Sequence, residues 1–333
     1  MTRFIELISS GGRRPEFFEM PKRMEQPEMW PTRQQQHAQI SSALHDYSAN
    51  VRNLPGAAEN LARDTLAMQF VASLRREDYY RRVQERPIPK RKADPNSGTF
   101  DAERAVAYHM QTGNVEEAAW LVFLMTHFAR PASSGWLRLQ QVYGRLGAGV
   151  WDWQTVSHNP QAMISWLAAT WTSIDGRFGN HRKYESLRPD SNRSFSDVLL
   201  SYLGWIGQGG HQAFFANKIL EAGNNPATIF DALYRSMNVR TFGRLAKFDY
   251  LALIGRYGIA PIEPGSAYFK GATGPASGAR LLFTGSHTGA ATEAQLQSWV
   301  DQLDASLHVG MAVMEDALCN WQKSPTSFVH FKG

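Results

Sequence analysis

Apolar positions recur with a helical period wherever a clear pattern can be read along this chain. Over about 57–86, Leu66, Phe70 and Leu74 fall at i, i+4 and i+8 with charges between them, which predicts an amphipathic helix. The stretch Arg86-Pro-Ile-Pro-Lys-Arg-Lys-Ala-Asp-Pro-Asn-Ser-Gly98 ends it as a loop. Helices follow at about 101–111 and 115–128. The second carries Ala118-Ala-Trp-Leu-Val-Phe-Leu-Met125, apolar nearly all round, and is expected to be central and buried. Ser134 is read as the cap of a helix over 135–146. Asn159-Pro160 opens a helix to about 174, and Asn225-Pro226 opens another over 226–237. Further helices are expected at 195–207, 211–222 and 246–257, and Thr292 begins one long helix running to about 323. Strand-type alternation is nearly absent. Residues 1–35, with Gly11-Gly12 and Pro15, Pro21, Pro27 and Pro31, read as an irregular N-terminal arm lying on the body. The expected fold class is therefore all-α, with residues 1–56 as arm and lead-in and residues 57–333 as a single helical catalytic domain.

Composition narrows the setting. No apolar run reaches the roughly 18–20 residues of a membrane span, and Glu6 interrupts the short apolar N-terminus, unlike a secretory signal. The one cysteine, Cys319, excludes a disulfide framework or a Cys-rich zinc site, so the expected location is cytoplasmic. The net charge of +5 is unevenly spread. Eight basic residues face three acids between Arg75 and Lys92, eleven face six over 176–256, and two lysines face five acids over the last fifty residues. Such asymmetry suggests that one face meets a polyanion, although long helices also carry solvated charge for no further reason.

No phosphate loop, dinucleotide fingerprint, nucleophile elbow or His-Glu-x-x-His helix is present. The segment Gly176-Arg-Phe-Gly-Asn-His-Arg-Lys-Tyr-Glu-Ser-Leu187 gathers Asn180, His181, Arg182, Lys183, Tyr184 and Glu185 behind two glycines. In a helical turn His181 and Glu185 would share a face, leaving Arg182 and Lys183 on a neighbouring one. A general acid/base pair beside two cations suits phosphate binding with proton transfer; a charged, exposed turn is the plainer reading. In Val239-Arg-Thr-Phe-Gly-Arg-Leu-Ala-Lys-Phe-Asp-Tyr250, the residues Arg240, Arg244 and Lys247 fall at i, i+4 and i+7, which asks for an anionic partner. Asp249 is a reserve base, or else the partner of a nearby arginine. In Tyr268-Phe-Lys-Gly-Ala-Thr-Gly-Pro-Ala-Ser-Gly-Ala-Arg280, a glycine hairpin from Gly271 to Gly274 leads into a helix start that could meet a phosphate; a simple helix corner also wants these glycines. His127 and Arg130 could face the same cavity from the end of the buried helix. Trp136, Trp151, Trp153, Trp166 and Trp171 offer stacking surface or, more simply, core.

Taken together, Phe178-Gly-Asn-His-Arg-Lys-Tyr-Glu-Ser-Leu187, Phe242-Gly-Arg-x-x-Lys-Phe-Asp-Tyr-Leu251 and Gly271-Ala-Thr-Gly-Pro-x-x-Gly-Ala-Arg280 resemble the third clade of the α-glutamyl/putrescinyl thymine pyrophosphorylases. These are bacteriophage and bacterial proteins also described as amino acid:DNA transferases. The likeness runs from about Arg63 to Gly285. It implies a helical body related to helix–hairpin–helix DNA glycosylases and a part in thymine hypermodification, within the host cytoplasm if the chain is phage-encoded. An upstream hydroxymethyluracil DNA kinase installs a pyrophosphate on the base, and the transferase displaces it with the amine of a free amino acid. No resident cofactor or metal site is expected, with Mg2+ open as a bridge to the pyrophosphate.

Residue chemistry then distributes the roles. Arg182, Lys183, Arg244 and Lys247 are candidates to cradle the departing pyrophosphate, and Arg240 or Arg280 to hold the amino-acid carboxylate. His181, Glu185 or Asp249 would serve as base. Asn180, Tyr184, Gly274 and His127 complete the expected pyrophosphate- and DNA-binding set, and base flipping is expected. Two other readings compete: a helix–hairpin–helix-type glycosylase or lyase, and a non-catalytic DNA-binding protein. The glycosylase reading lacks a carboxylate just after the hairpin, in Thr284-Gly-Ser-His-Thr-Gly289.

Overall fold

A computed structural model describes residues 30–330. Fourteen α-helices account for the described architecture, joined by short turns and single 3-10 turns, with no strand among these residues. The all-α expectation holds. Two apolar cores organise the helices. The larger one gathers α3 (Ala102–Gln111), α4 (Val115–Phe128), α5 (Leu137–Tyr143), α6 (Trp153–His158), α7 (Pro160–Thr170), α8 (Phe195–Ile206), α9 (Gly210–Ala222), α10 (Pro226–Ser236) and α11 (Arg244–Arg256). The smaller one gathers α1 (Gln34–Asn50), α12 (Gly274–Thr284), α13 (Glu293–Leu307) and α14 (Met311–Trp321). The long α2 (Asn60–Glu85) bridges them, giving Leu66, Phe70 and Val71 to the smaller core and Val83 to the larger.

The expected periodicities form helices close to their predicted bounds, and α4 is buried from Glu117 to Phe128. The side chains of Asn159 and Asn225 accept the N–H groups of Ala162 and Thr228, with proline at the first helical position in each case. Caps of this kind contribute about 1 kcal/mol each. Thr292 opens α13 through a capping box with Gln295.

Four expectations are corrected. The helix from Thr292 does not run to 323: His308 and Gly310 turn to positive φ, and the Asp304 side chain accepts the Val309 and Gly310 N–H groups, so α13 and α14 are separate. Ser134 caps nothing; the next helix starts at Leu137 without a side-chain cap. The helix opened at Asn159 stops at Thr170 rather than about 174, a 3-10 turn at Trp171–Ser173 taking over. Within the lead-in, residues 34–50 form α1, whose Ile40, Leu44 and Tyr47 pack into the smaller core. The expected arm, up to residue 29, lies outside the described residues.

Gly274 and Gly278 face α14, whereas Gly271 is exposed at positive φ. A Cβ on Gly278 would stand 2.2 Å from the Leu318 carbonyl oxygen, and one on Gly274 2.6 Å from the Cys319 Sγ. Their absence of a side chain lets α12 lie directly against α14, which in turn sets the position of Glu315. Gly278→Ala is expected to lower stability in urea melts by about 1–3 kcal/mol through overpacking. Gly204→Ala, on α8 with open space around its Cβ, should be neutral or stabilising by about 0.5–1 kcal/mol. Equal effects at the two positions would refute the close-approach account.

Candidate functional site

Charged side chains meet where the two cores face each other, on α2, α11 and α14. Three ion pairs tie these helices together: Arg244 to Glu315, Arg76 to Asp316, and Arg256 to Glu77. Arg244 also donates from Nε to the Tyr268 carbonyl at 3.0 Å and from Nη2 to the Ala267 carbonyl, which leaves it only 11 % exposed. Asp316 additionally accepts from the Ser73 hydroxyl, and Arg256 Nε donates to Glu77 at 2.8 Å.

One carboxylate of this seam is unmatched. No hydrogen bond or salt bridge reaches Asp249 from any described residue. Burial and the nearby Glu315 charge push its pKa up to about 7, against the opposing pull of Arg256, Arg244 and Arg182. Part of the residue reaches solvent. A carboxyl poised near neutrality and uncommitted to protein partners has the properties of a general base.

His181 belongs to the same field. Burial and the Lys323 charge lower its pKa, and Glu315 partly offsets them, so the imidazole is predominantly neutral at pH 7 although its ring reaches solvent. Cys319 feels Glu315, Lys323, Arg244 and Asp249 together, and its thiol is pushed up, chiefly by burial. A hollow of about 400 Å3 lined by Glu77, Tyr80, Gln84 and Arg256 opens beside the seam.

The 178–187 segment is built differently from the expected helical turn. Asn180–Arg182 is a single 3-10 turn, so the i, i+4 relation between His181 and Glu185 does not arise. Gly179 lets the chain lie against α4: a Cβ there would meet that of Ala129 at 2.6 Å. Arg182, 5 % exposed, turns inward. It donates to the His127 carbonyl at 3.3 Å, the Thr241 carbonyl at 2.9 Å and the Thr241 hydroxyl at 3.0 Å, and stacks on Phe242. Glu185, 6 % exposed, accepts from Arg193 and from the Thr241 hydroxyl at 2.8 Å. Both are anchors, and Glu185 does not pair with His181. Asn180, Lys183 and Tyr184 are exposed.

The other expected site residues scatter. His127 is fully buried among Phe123, Phe128, Phe178 and Phe195, and burial, with the Arg182 and Arg193 charges, holds it well below the usual imidazole range. Arg130 sits instead beside Glu103 at 3.6 Å, so the two do not face one cavity. Arg240, Arg244 and Lys247 do not form one helical face, because α11 begins only at Arg244. Arg240 lies in the preceding turn, bonded to the Asn192 carbonyl and 3.6 Å from Asp197. Lys247 stands over Tyr234 at 5.7 Å, and burial lowers its pKa. Arg280 is half-buried on α12. Trp151 and Trp153 are core. Sequence reasoning missed Glu315, Arg76, Asp316, Glu77, Arg256 and Lys323; the one available signal was charge within otherwise apolar helix faces, as in Met311-Ala-Val-Met-Glu-Asp-Ala-Leu318.

A larger cleft than this hollow lies elsewhere. It measures about 1210 Å3 and is lined by residues that include Glu116, Glu117, Asp152, His109 and His158, and by none of the motif residues. Three of its acids are committed to helix starts, and the fourth, Asp94, accepts the Asn96 N–H in a turn. Glu116 accepts the His211 and Gln212 N–H groups at the start of α9, Glu117 accepts the Trp153 N–H and the Tyr143 hydroxyl, and Asp152 caps α6. Among the described residues, no group of three or more His, Cys, Asp or Glu side chains is placed to hold a metal.

Two stability predictions follow from this geometry. Asp249 has a folded pKa above its unfolded value, so its contribution is fully present below about pH 4 and is lost as pH rises through about 7. Asp249→Asn should therefore melt above the wild type at pH 8, with the gap closing toward pH 4; a gap independent of pH would refute the raised pKa. Glu185→Gln and Arg182→Ala should each cost about 3 kcal/mol or more in urea melts, because the two are 3.5 Å apart and both buried, so each change strands the other. Unchanged midpoints would show that neither is an anchor.

Comparison with known proteins adds the family. The model of the family described as alpha-glutamyl/putrescinyl thymine pyrophosphorylase clade 3 matches residues 61–333. No curated protein and no solved structure matches the chain. The chain belongs to this pyrophosphorylase family, which implies an enzyme acting on modified thymine in DNA. No helix among the described residues is long and apolar enough to cross a membrane.

Proposed function

With membership of that family as the premise, we propose that the chain is an amino acid:DNA transferase that displaces pyrophosphate from 5-(pyrophosphoryloxymethyl)uracil in DNA. The amine nitrogen of the amino acid bonds to the 5-methylene carbon, the carbon–oxygen bond breaks, and pyrophosphate leaves with the bonding pair. The nitrogen sheds a proton to a general base.

Asp249 is that base in this reading, and its unmatched carboxyl near pKa 7 carries the assignment. His181, neutral at pH 7, and Lys323, whose charge it feels, are the proposed donors to the leaving pyrophosphate. Arg244 and Arg182 supply fixed positive charge near Asp249 while remaining bonded to the protein. Lys183, Asn180, Arg240 and Arg280 are the remaining candidates for contacts to DNA phosphate or to the amino-acid carboxylate. The upstream kinase and the free amino acid are partners the reaction requires.

The test is to incubate the protein with duplex DNA carrying 5-(pyrophosphoryloxymethyl)uracil and a mixture of amino acids. Pyrophosphate release and the digested nucleosides are then followed by mass spectrometry. One amino-acid mass joined to the methylene carbon is expected. Turnover should rise with pH through about 7, as the Asp249 carboxyl ionises, and Asp249→Asn should lower it at least about a hundredfold. Free base or an abasic site would replace the proposal with glycosidic cleavage, and tight binding to unaltered DNA would replace it with a binding role.

A further inference from the structure

We propose that Tyr184 enters the DNA stack beside the base to be modified and fills the space that the extruded base leaves. The proposal rests on the reading above only in taking DNA as the substrate.

Tyr184 is 72 % exposed, and it is the one exposed tyrosine of the eleven in the chain. Five others are buried to 2 % or less: Tyr47, Tyr143, Tyr202, Tyr250 and Tyr257. A loop that merely needed a polar tip would not require an aromatic ring there.

The mounting is rigid. Arg182 and Glu185 stand on either side of the Lys183-Tyr184 pair, and both are buried and tied to Thr241: Arg182 Nη1 to its carbonyl at 2.9 Å, and its hydroxyl to Glu185 at 2.8 Å. Glu185 is held further by Arg193, and the Gly179 N–H bonds the Phe128 carbonyl at 2.9 Å. Next in the chain, the Phe195 N–H donates to the Ser186 carbonyl at 2.8 Å, fixing the far end against the start of α8. Between these two buried anchors, Lys183 and Tyr184 are both exposed.

The pair has the chemistry of a nucleic-acid contact. The Lys183 Nζ lies 5.1 Å from the Tyr184 ring centroid, which places a cation where the phosphate flanking a stacked ring would run. Every base offers a π-face to an aromatic ring, so stacking needs no particular sequence. A side chain inserted between base steps also offsets part of the unstacking cost of extrusion.

Placement relates the ring to the chemistry. Arg182, whose charge reaches Asp249, is two residues before Tyr184, and His181, within the field of Glu315 and Lys323, is three before it. The tip of the turn meets solvent at Tyr184, while its buried residue Arg182 adds its charge to the field at Asp249.

The experiment uses the full chain and duplex DNA carrying the pyrophosphorylated base, whose oxidation by permanganate at the 5,6 double bond rises when that base leaves the stack. The same target is offered as a single strand for comparison. Wild type should give a rise. Tyr184→Ala should abolish the rise and lower the ratio of duplex to single-strand turnover by about tenfold or more. Tyr184→Phe should retain both, because the ring and not the hydroxyl acts. Melting curves should coincide for all three proteins.

A wild-type rise in Tyr184→Ala overturns the proposal, as does the absence of any rise in wild type. A rise that depends on Tyr184, in a protein that forms no amino-acid adduct, would overturn the transfer reaction and leave the stacking role standing.

Discussion

The Arg244–Glu315 ion pair joins the two apolar cores across a polar seam, and the geometry of the site depends on it. Arg244 belongs to α11 and the larger core; Glu315 belongs to α14 and the smaller. A guanidinium this buried must be fully bonded to be tolerated, and Arg244 meets that demand with the Ala267 and Tyr268 carbonyls as well as Glu315. Those carbonyls lie on the chain leading into α12. One side chain thus sets the separation of α11 from α14 and the approach to the helix that supports α14 from behind. Asp249, on α11, is consequently held within the field of Glu315, and its raised pKa follows from that separation and from burial.

Charge matching explains why Asp249 is distinguished. Arg244, Arg76 and Arg256 each have an acid, and Glu315, Asp316 and Glu77 each have an arginine. A fourth acid in the same seam has only distant cations, too weak to overcome desolvation. The fold therefore keeps a carboxyl that is half-protonated near neutrality. Such a group costs stability at high pH, and that cost is what motivates the proposed role of Asp249 as a base.

Much of the fold was legible because it depends on local rules. Asn159, Asn225 and Thr292 cap the helices they were expected to open. The separation of α13 from α14 was carried by His308-Val-Gly310, a short signal overridden by the apolar periodicity on both sides. α1 was hidden by its polar start and neighbouring prolines, although Ile40, Leu44 and Tyr47 hold helical spacing. The site was less legible. Spacing along 178–187 assumed an α-turn, and the chain forms a 3-10 turn that sends Arg182 and Glu185 inward. Their charges serve to fasten the segment to α4 and to Thr241. Asp249 was recognised as an acid among cations, but only tertiary packing decides which cations are already taken. Glu315 and Asp316 enter from a helix with no motif of its own, and Lys323 from the turn just after it.

The same accounting separates the seam from the large cleft. The cleft is about three times the volume of the hollow beside the seam and has more acids in its walls. Yet Glu116, Glu117 and Asp152 accept backbone N–H groups at the starts of α9 and α6, so their oxygens hold helices in place. Glu117 is also pushed up to about 7 by burial, but it already bonds the Tyr143 hydroxyl at 2.5 Å and the Trp153 N–H at 2.7 Å. A perturbed carboxyl whose oxygens are occupied stabilises a junction. The same perturbation at Asp249 falls on a carboxyl that no described residue bonds, in a seam bordered by Arg244 and Arg256. Volume favours the cleft; the unmatched charge favours the seam as the place of the proposed chemistry.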